Sequence, residues 1–230
     1  MVGLVGLEKR MERNPFPCPL CKFKGNHAPF HRDLSRDYYR CSCCHLTYVP
    51  PSQHLSLHAE RAEYDKHQNS PDDPGYRKFL SRLFTPLRER LNSESEGLDF
   101  GSGPGPTLSV MFEEEGMAMT LYDPFYAPDR LALAPQNQYD FITATEVVEH
   151  LYDPAAEIAL LWSLLKPGGW LGIMTKLALE KAAFSRWHYK SDPTHVCFFS
   201  IKTIDWLAGD LEAEVLKIGA DVFLFQKQFP

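Results

Sequence analysis

Leu98-Asp99-Phe100-Gly101-Ser102-Gly103-Pro104-Gly105-Pro106, followed by a helical pattern over 107–115, decides the fold. Leu98-Asp99-Phe100 reads as a short strand, and the glycine run as the turn that joins it to a helix. Glycine lets backbone come close to a ligand, because no Cβ stands in the way. The turn lacks the Lys-Ser/Thr of a phosphate-binding loop. Its sixth position from Gly101 is Pro106, so it is not the GxGxxG dinucleotide fingerprint either. A second strand over 117–122 ends in Asp123, 20 residues after Gly103. A carboxylate at the tip of the neighbouring strand can accept two hydrogen bonds from ribose hydroxyls. The plainer readings are a cap for Asp123 and a bare turn for the glycines. The two features in this order argue against both.

Two further stretches stand downstream, Tyr139-Asp140-Phe141-Ile142-Thr143-Ala144-Thr145-Glu146-Val147-Val148-Glu149-His150 and Leu164-Leu165-Lys166-Pro167-Gly168-Gly169-Trp170-Leu171. With the glycine turn they resemble, in order, the first motif, the fourth strand with its loop, and the turn into the fifth strand of class I S-adenosylmethionine-dependent methyltransferases. The resemblance spans about residues 97–228, and the paired cysteines near the N-terminus make the chain similar to bacterial methyltransferases of the 23-type domain family that carry a zinc ribbon there. It implies an α/β fold: a Rossmann-like, doubly wound, mostly parallel sheet of seven strands with an antiparallel last hairpin, near 212–218 and 222–228. The alternation in Val222-Phe223-Leu224-Phe225-Gln226 fits a buried strand. Only 15 residues separate Asp123 from Tyr139, too few for the usual helix, third strand and helix. A short strand or an irregular crossing is expected over 125–133, and the family's acidic-polar adenine contact has no match there.

The resemblance also implies roles. Asp99 would orient the glycine loop, and Gly101, Ser102 and Gly103 would pass the methionine moiety of S-adenosylmethionine. Asp123 would bind ribose, and Thr145 and Glu146 would sit beside the cofactor. Small-RNA 2′-O-methyltransferases and ubiquinone-pathway O-methyltransferases resemble the 146–150 segment and use it to hold a divalent ion. Glu146, Glu149 and His150 fall at i, i+3 and i+4, on one face if helical. His195 could complete a second metal site for Mg²⁺, Mn²⁺ or Zn²⁺. The preferred reading is plainer: a Thr143-x-x-Glu146 capping box, with His150 as a loop contact.

The segment 183–195, Ala-Phe-Ser-Arg-Trp-His-Tyr-Lys-Ser-Asp-Pro-Thr-His, follows the fifth strand. It is aromatic, basic and histidine-rich, as suits a substrate lid at the carboxyl ends of the strands. His195 and His188 are the candidate general bases, since imidazole takes a proton near neutral pH. Tyr64 and His67, before the core, are candidates to close over the cofactor.

Five of six cysteines precede residue 45, as Cys18-Pro19-Leu20-Cys21 and Cys41-Ser42-Cys43-Cys44, with 19 residues between the pairs. Two thiolates on one tight turn reach the same ion, and two such turns complete a tetrahedral site. Cys18, Cys21, Cys41 and Cys44 are therefore read as ligands of a structural Zn²⁺, and Cys43 as a spare thiol. His27, His31 and His45 are the substitutes. So short a unit cannot bury enough surface to fold alone, so the metal stands in for a core. Tyr38-Tyr39-Arg40 and Leu46-Thr47-Tyr48-Val49 read as its strands. The expected domains are a zinc ribbon at 1–51, a helical linker at 52–96 with helices at 52–69 and 75–92, and the methyltransferase domain at 97–230.

Hydrophobic residues make up 44% of the 230, enough for a core and against wholesale disorder. No apolar run reaches the roughly 18 residues of a membrane helix, and the apolar 2–7 stretch is too short for a signal peptide. A cytoplasmic protein with no membrane partner is expected. The net charge is −6, split as +3 over residues 1–60 and −9 over the rest. An acidic core argues against a broad phosphate-binding surface. The first functional reading is methyl transfer to a small molecule, at oxygen. The second is RNA methylation, since some ribosomal-RNA guanine methyltransferases also open with a Cys-Pro-x-Cys zinc unit. The third is a non-enzymatic zinc-ribbon adaptor on a methyltransferase scaffold.

Overall fold

The computed structural model describes residues 16–25, 27–66, 69–134 and 136–229. The apolar 2–7 stretch and His67 lie outside these residues. The chain opens with an antiparallel ribbon, β1 (Ala28–Arg32), β2 (Asp37–Arg40) and β3 (Thr47–Tyr48). After a 3₁₀ turn at Pro51–Gln53 come α1 (Leu57–Tyr64) and α2 (Pro74–Arg88). The helix expected over 52–69 is thus shorter. Ser56 is extended and its side chain accepts from the Ala59 N–H, so helix begins only after it. α2 starts at Asp73, whose carboxylate accepts from the Gly75 and Tyr76 N–H groups ahead of Pro74.

The central sheet then assembles as β4 (Glu96–Phe100), α3 (Thr107–Glu114), β5 (Ala118–Tyr122), β6 (Tyr139–Thr145), α4 (Pro154–Leu164) and β7 (Leu165–Met174). It is followed by α5 (Lys181–Phe184), β8 (Cys197–Phe198), α6 (Ile201–Asp210), β9 (Glu214–Ile218) and β10 (Val222–Gln226). The strand order is β5-β4-β6-β7-β10-β9. β5, β4, β6 and β7 are parallel; β10 runs antiparallel to both β7 and β9. The Rossmann-like, doubly wound sheet with a closing hairpin is therefore present.

The strand count departs from expectation. The sheet has six strands among the described residues, where seven were expected. Between Asp123 and Tyr139 the chain makes a tight turn, bridged between Asp123 and Ala127, and a 3₁₀ turn at Arg130–Leu133. That length holds no strand, so β5 remains at the edge.

Alternation places the core on both faces. Phe141, Val222 and Leu224 face α2 and α3, where they meet Leu80, Leu83, Leu87, Leu108 and Phe112. Ile142, Ala144, Phe223 and Phe225 face the other way, toward Ile158, Leu161, Ile204 and Leu207. Gly172 lets α2 come close, since a Cβ there would meet Leu83, Leu87 and Leu224 at 3.3–3.4 Å.

The second core runs on without a break through Phe198 of β8 into Tyr38 and Tyr48 of the ribbon. β8 makes the connection. It pairs with β3, Tyr48 opposite Cys197, so the small sheet reads β1-β2-β3-β8.

Leu83 is fully buried between α2 and the sheet. Leu83→Ala is expected to lower the unfolding free energy by about 2–5 kcal/mol, through lost transfer energy and the cavity left behind. Urea denaturation followed by circular dichroism measures it.

Candidate active site

The chain runs from β4 to its neighbour β5, then crosses to β6 on the other side of β4. Such a switch opens a crevice beyond the carboxyl ends of the strands. A cavity of about 490 Å³ lies there, within the usual range for a small-molecule site. The glycine turn Gly101–Pro104 forms one wall, with Asp123–Tyr126 beside it. Thr145–Val147 and His150 line it from β6, and Asp192 and His195 from the 183–195 segment. Glu60 and Tyr64 of α1 close the near side.

The turn holds its shape for steric reasons. Gly101 and Gly103 have φ of +76° and +64°, where L side chains are strained. A Cβ on Gly101 would stand 2.5 Å from Val147. At Gly103 it would meet nothing within 4 Å, so the backbone there faces open cavity. The Gly101 N–H donates to the Tyr122 carbonyl at 2.7 Å. Asp123 completes the turn: Oδ2 accepts from the Gly103 N–H at 3.0 Å, and Oδ1 from the Phe125 and Tyr126 N–H groups at 2.8 and 3.0 Å.

Asp99 does not reach the cavity wall. It is buried beneath the turn, where Oδ1 accepts from Thr143 Oγ1 at 2.7 Å and Oδ2 from Ser109 Oγ at 3.0 Å. It braces β4 against β6 and α3, and burial pushes its carboxyl above the usual range. Thr143 is therefore an interior strand residue, and the capping box read into Thr143-x-x-Glu146 does not form.

Glu146 leaves β6 with φ +52°, an uncommon backbone state for a residue with a Cβ. Its N–H donates to Met174 O at 2.8 Å, and Oε2 accepts from Tyr189 Oη at 3.3 Å. On the cavity wall, buried Ser102 Oγ, Thr145 Oγ1 and Glu146 Oε1 have no hydrogen-bond partner among the described residues.

A second cluster stands beside them. Donor atoms of Glu149, His150 and His195 lie within 4.8 Å of one another. Among the described residues Glu146 belongs to no such group, so three of the four candidate ligands converge. Glu149 is wholly buried. One oxygen accepts from Thr175 Oγ1 at 2.9 Å and the other from Tyr189 Oη. Burial, then the neighbouring Glu146, pushes its carboxyl up to about 8. The His150 and His195 rings are 4.6 Å apart. Nδ1 of His195 is 2.7 Å from Tyr189 O, and Nε2 is 3.8 Å from Asp192 Oδ2.

His188 is a correction. It is exposed at the head of the 3₁₀ turn His188–Ser191 and lines no part of the cavity. That turn buries Tyr189 and Lys190, which sends the preceding side chain outward. The residue that spacing alone missed is Tyr189, whose hydroxyl joins Glu146 to Glu149.

The cysteines form a separate centre. Both pairs sit on matched turns: Cys18 N–H donates to Phe23 O and Cys41 N–H to Leu46 O, at 3.0 and 2.9 Å. Lys22 and His45, each just after its second cysteine, have φ of +56° and +60°. His45 is thus a turn residue, and His27, His31 and His45 lie outside the sulfur cluster. The four sulfurs are mutually within 4.8 Å, with Cys18–Cys44 and Cys21–Cys41 at 3.5 Å. A zinc tetrahedron with bonds of about 2.3 Å has edges of roughly 3.8 Å, so the donor set fits that ion. Cys43 is exposed.

If these thiols hold zinc, elemental analysis will find about one zinc per chain, and Cys41→Ser will abolish it. Because metal binding is folding energy in so small a unit, a chelator is expected to lower the melting temperature of the wild type alone.

Residues 67–218 match the family described as "Methyltransferase domain". A ubiquinone biosynthesis O-methyltransferase of Nitrosococcus oceani is 34% identical over 87 residues, 38% of this chain and 36% of that protein. The corresponding protein of Acinetobacter baylyi is 34% identical over 80 residues, 35% and 33% of the two chains. The chain thus spans about a third of the length of these curated relatives. Among solved structures, the 1,6-didemethyltoxoflavin-N1-methyltransferase of Burkholderia thailandensis, with its substrate and S-adenosylhomocysteine bound, superposes with a TM-score of 0.50 at 15% identity. That superposition covers 87% of this chain and 99% of that one, and it speaks to fold. With the family match covering more than half of its length, the chain belongs to the methyltransferase domain family.

Proposed function

We propose that this protein transfers a methyl group from S-adenosylmethionine to the oxygen of a small hydroxyl-bearing acceptor. The observation that carries the reading is the row of partnerless buried atoms, Ser102 Oγ, Thr145 Oγ1 and Glu146 Oε1, beside the open backbone of Gly103. A buried polar atom left alone costs about 1–3 kcal/mol, so several on one cavity wall call for a polar ligand. S-adenosylmethionine supplies a methyl group on a leaving group already activated by its sulfonium charge, displaced in line. The protein's part is therefore alignment.

The residues divide that work. Oδ2 of Asp123 accepts one bond from Gly103 and has a second lone pair for a ribose hydroxyl. Glu146 Oε1 suits the ammonium of the methionine moiety. Phe125 and Tyr126, on the shortened crossing, offer aromatic faces in place of the missing adenine segment. Nε2 of His195 meets the acceptor hydroxyl, as proton acceptor or, with Glu149 and His150, as ligand of a divalent ion. The fully buried Glu149 carboxyl, with the Thr175 and Tyr189 hydroxyls against its two oxygens, would give up its proton to such a cation. A bound ion would lower the pKa of the hydroxyl.

The cavity wall favours a small acceptor over RNA. It contains Glu60, Asp123, Glu146, Glu157 and Asp192, but neither lysine nor arginine among the described residues. A polyanion would be repelled. The O-methyltransferase relatives support oxygen as the acceptor atom.

Calorimetry with S-adenosylhomocysteine is expected to show binding, and Asp123→Ala to weaken it by at least about tenfold, the equivalent of one charge-assisted hydrogen bond. Absence of heat at millimolar ligand sinks the reading. Mn²⁺ titration followed by electron paramagnetic resonance separates the two roles of His195. Binding that weakens at least about tenfold in Glu149→Gln and His150→Ala supports the ion, whose ligands these would be. No Mn²⁺ binding leaves His195 as the proton acceptor.

A further inference from the structure

We propose that Arg36 of the cysteine ribbon is the positioning residue that sets His195 in the cavity. Its side chain comes from the turn between β1 and β2 and is only 8% exposed. The guanidinium gathers four carbonyls of one loop. Nη1 donates to Pro193 O at 3.2 Å and His195 O at 2.9 Å; Nη2 donates to Asp192 O at 2.9 Å and to Lys190 O. Carbonyls turned inward at one point repel one another and need donors. A planar cation with its N–H groups in a rigid fork meets that need, whereas an ammonium is a single point.

The consequence reaches the imidazole. With the loop held, Tyr189 O faces His195 Nδ1 at 2.7 Å. A carbonyl only accepts, so Nδ1 carries the proton and Nε2, 3.8 Å from Asp192 Oδ2, is left as the bare nitrogen of a cavity-lining ring. Further anchors of the loop come from the ribbon. Asp33 Oδ2 accepts from Lys190 Nζ at 3.0 Å and Tyr38 Oη at 2.8 Å, and Tyr38 Oη reaches Lys190 O at 3.3 Å. Val196 ties the far end: its N–H donates to Glu149 O at 2.8 Å, and its carbonyl accepts from the Val49 N–H at 2.9 Å. The ribbon therefore grips the segment that bears His195, and through Val196 that segment holds the one that bears Glu149. The inference rests on the reading of this cavity as the methyl-transfer site, for that is where a bare Nε2 has use.

The test uses the full chain labelled with ¹⁵N-histidine, the His195 signal being assigned from His195→Gln. The wild type is expected to show the Nδ1–H tautomer. Arg36→Met, which keeps length and removes every donor, is expected to move that signal to the mixed tautomer of a free imidazole. Arg36→Lys is expected to return it part of the way. In both variants S-adenosylhomocysteine affinity should stay within about twofold, because the glycine turn shares no partner with Arg36. The zinc content should not change. An unaltered tautomer in Arg36→Met overturns the proposal. So does joint loss of tautomer, nucleoside binding and zinc in both variants, which would mean a fold requirement and nothing more specific. A wild type that binds no S-adenosylhomocysteine, with the tautomer moving as described, sinks the methyl-transfer reading and leaves the grip on His195 standing.

Discussion

The three backbone hydrogen bonds accepted by the Asp123 carboxylate hold the site open. They join the end of β5 to the glycine turn after β4, and at the same time fold Pro124–Tyr126 back along the wall. A carboxylate can do this because it offers two oxygens and about four lone pairs to donors arriving from different directions. Asp99, one layer below, ties β4 to β6 and α3 by the same means, with hydroxyls as donors. The crevice that a doubly wound sheet opens is in this way given a fixed outline before any ligand arrives.

The ribbon belongs to the same construction. Its zinc-fitting turns lie at one end, but its third strand pairs with β8, and its aromatic residues share a core with the main sheet. Phe184 shows the intimacy of the join, since its ring contacts Phe30 and Tyr38 of the ribbon and Phe198 of β8. Such a unit serves its neighbour as much as itself: the cysteine turns fix the strands, and the strands fix a loop of the cavity.

Much of this was legible from sequence wherever spacing and conformation are coupled locally. The glycine turn, Asp123, the two cysteine pairs and the final hairpin each rest on residues whose geometry is set within a few positions. What escaped depends on contacts distant in the chain. β8 is two residues long and has no pattern of its own; it exists because Tyr48 lies opposite Cys197. Both loop histidines stood as candidate bases in the sequence, and a 3₁₀ turn sends His188 outward while His195 lines the cavity. Glu146 looked like the partner of a threonine cap, but Thr143 is inside a strand and points at Asp99. The missing strand was visible only as a shortage of residues, and the shortage proved decisive.

Glu146 itself stands at a junction between durability and use. A left-handed backbone disfavours an L side chain by about 1 kcal/mol or more, and glycine would remove that penalty. Selection for heat resistance alone would thus be drawn to glycine at this position, and would discard a carboxylate on the cavity wall in the process. That glutamate is present in a conformation made for glycine marks the side chain as something the protein keeps against its own thermal interest.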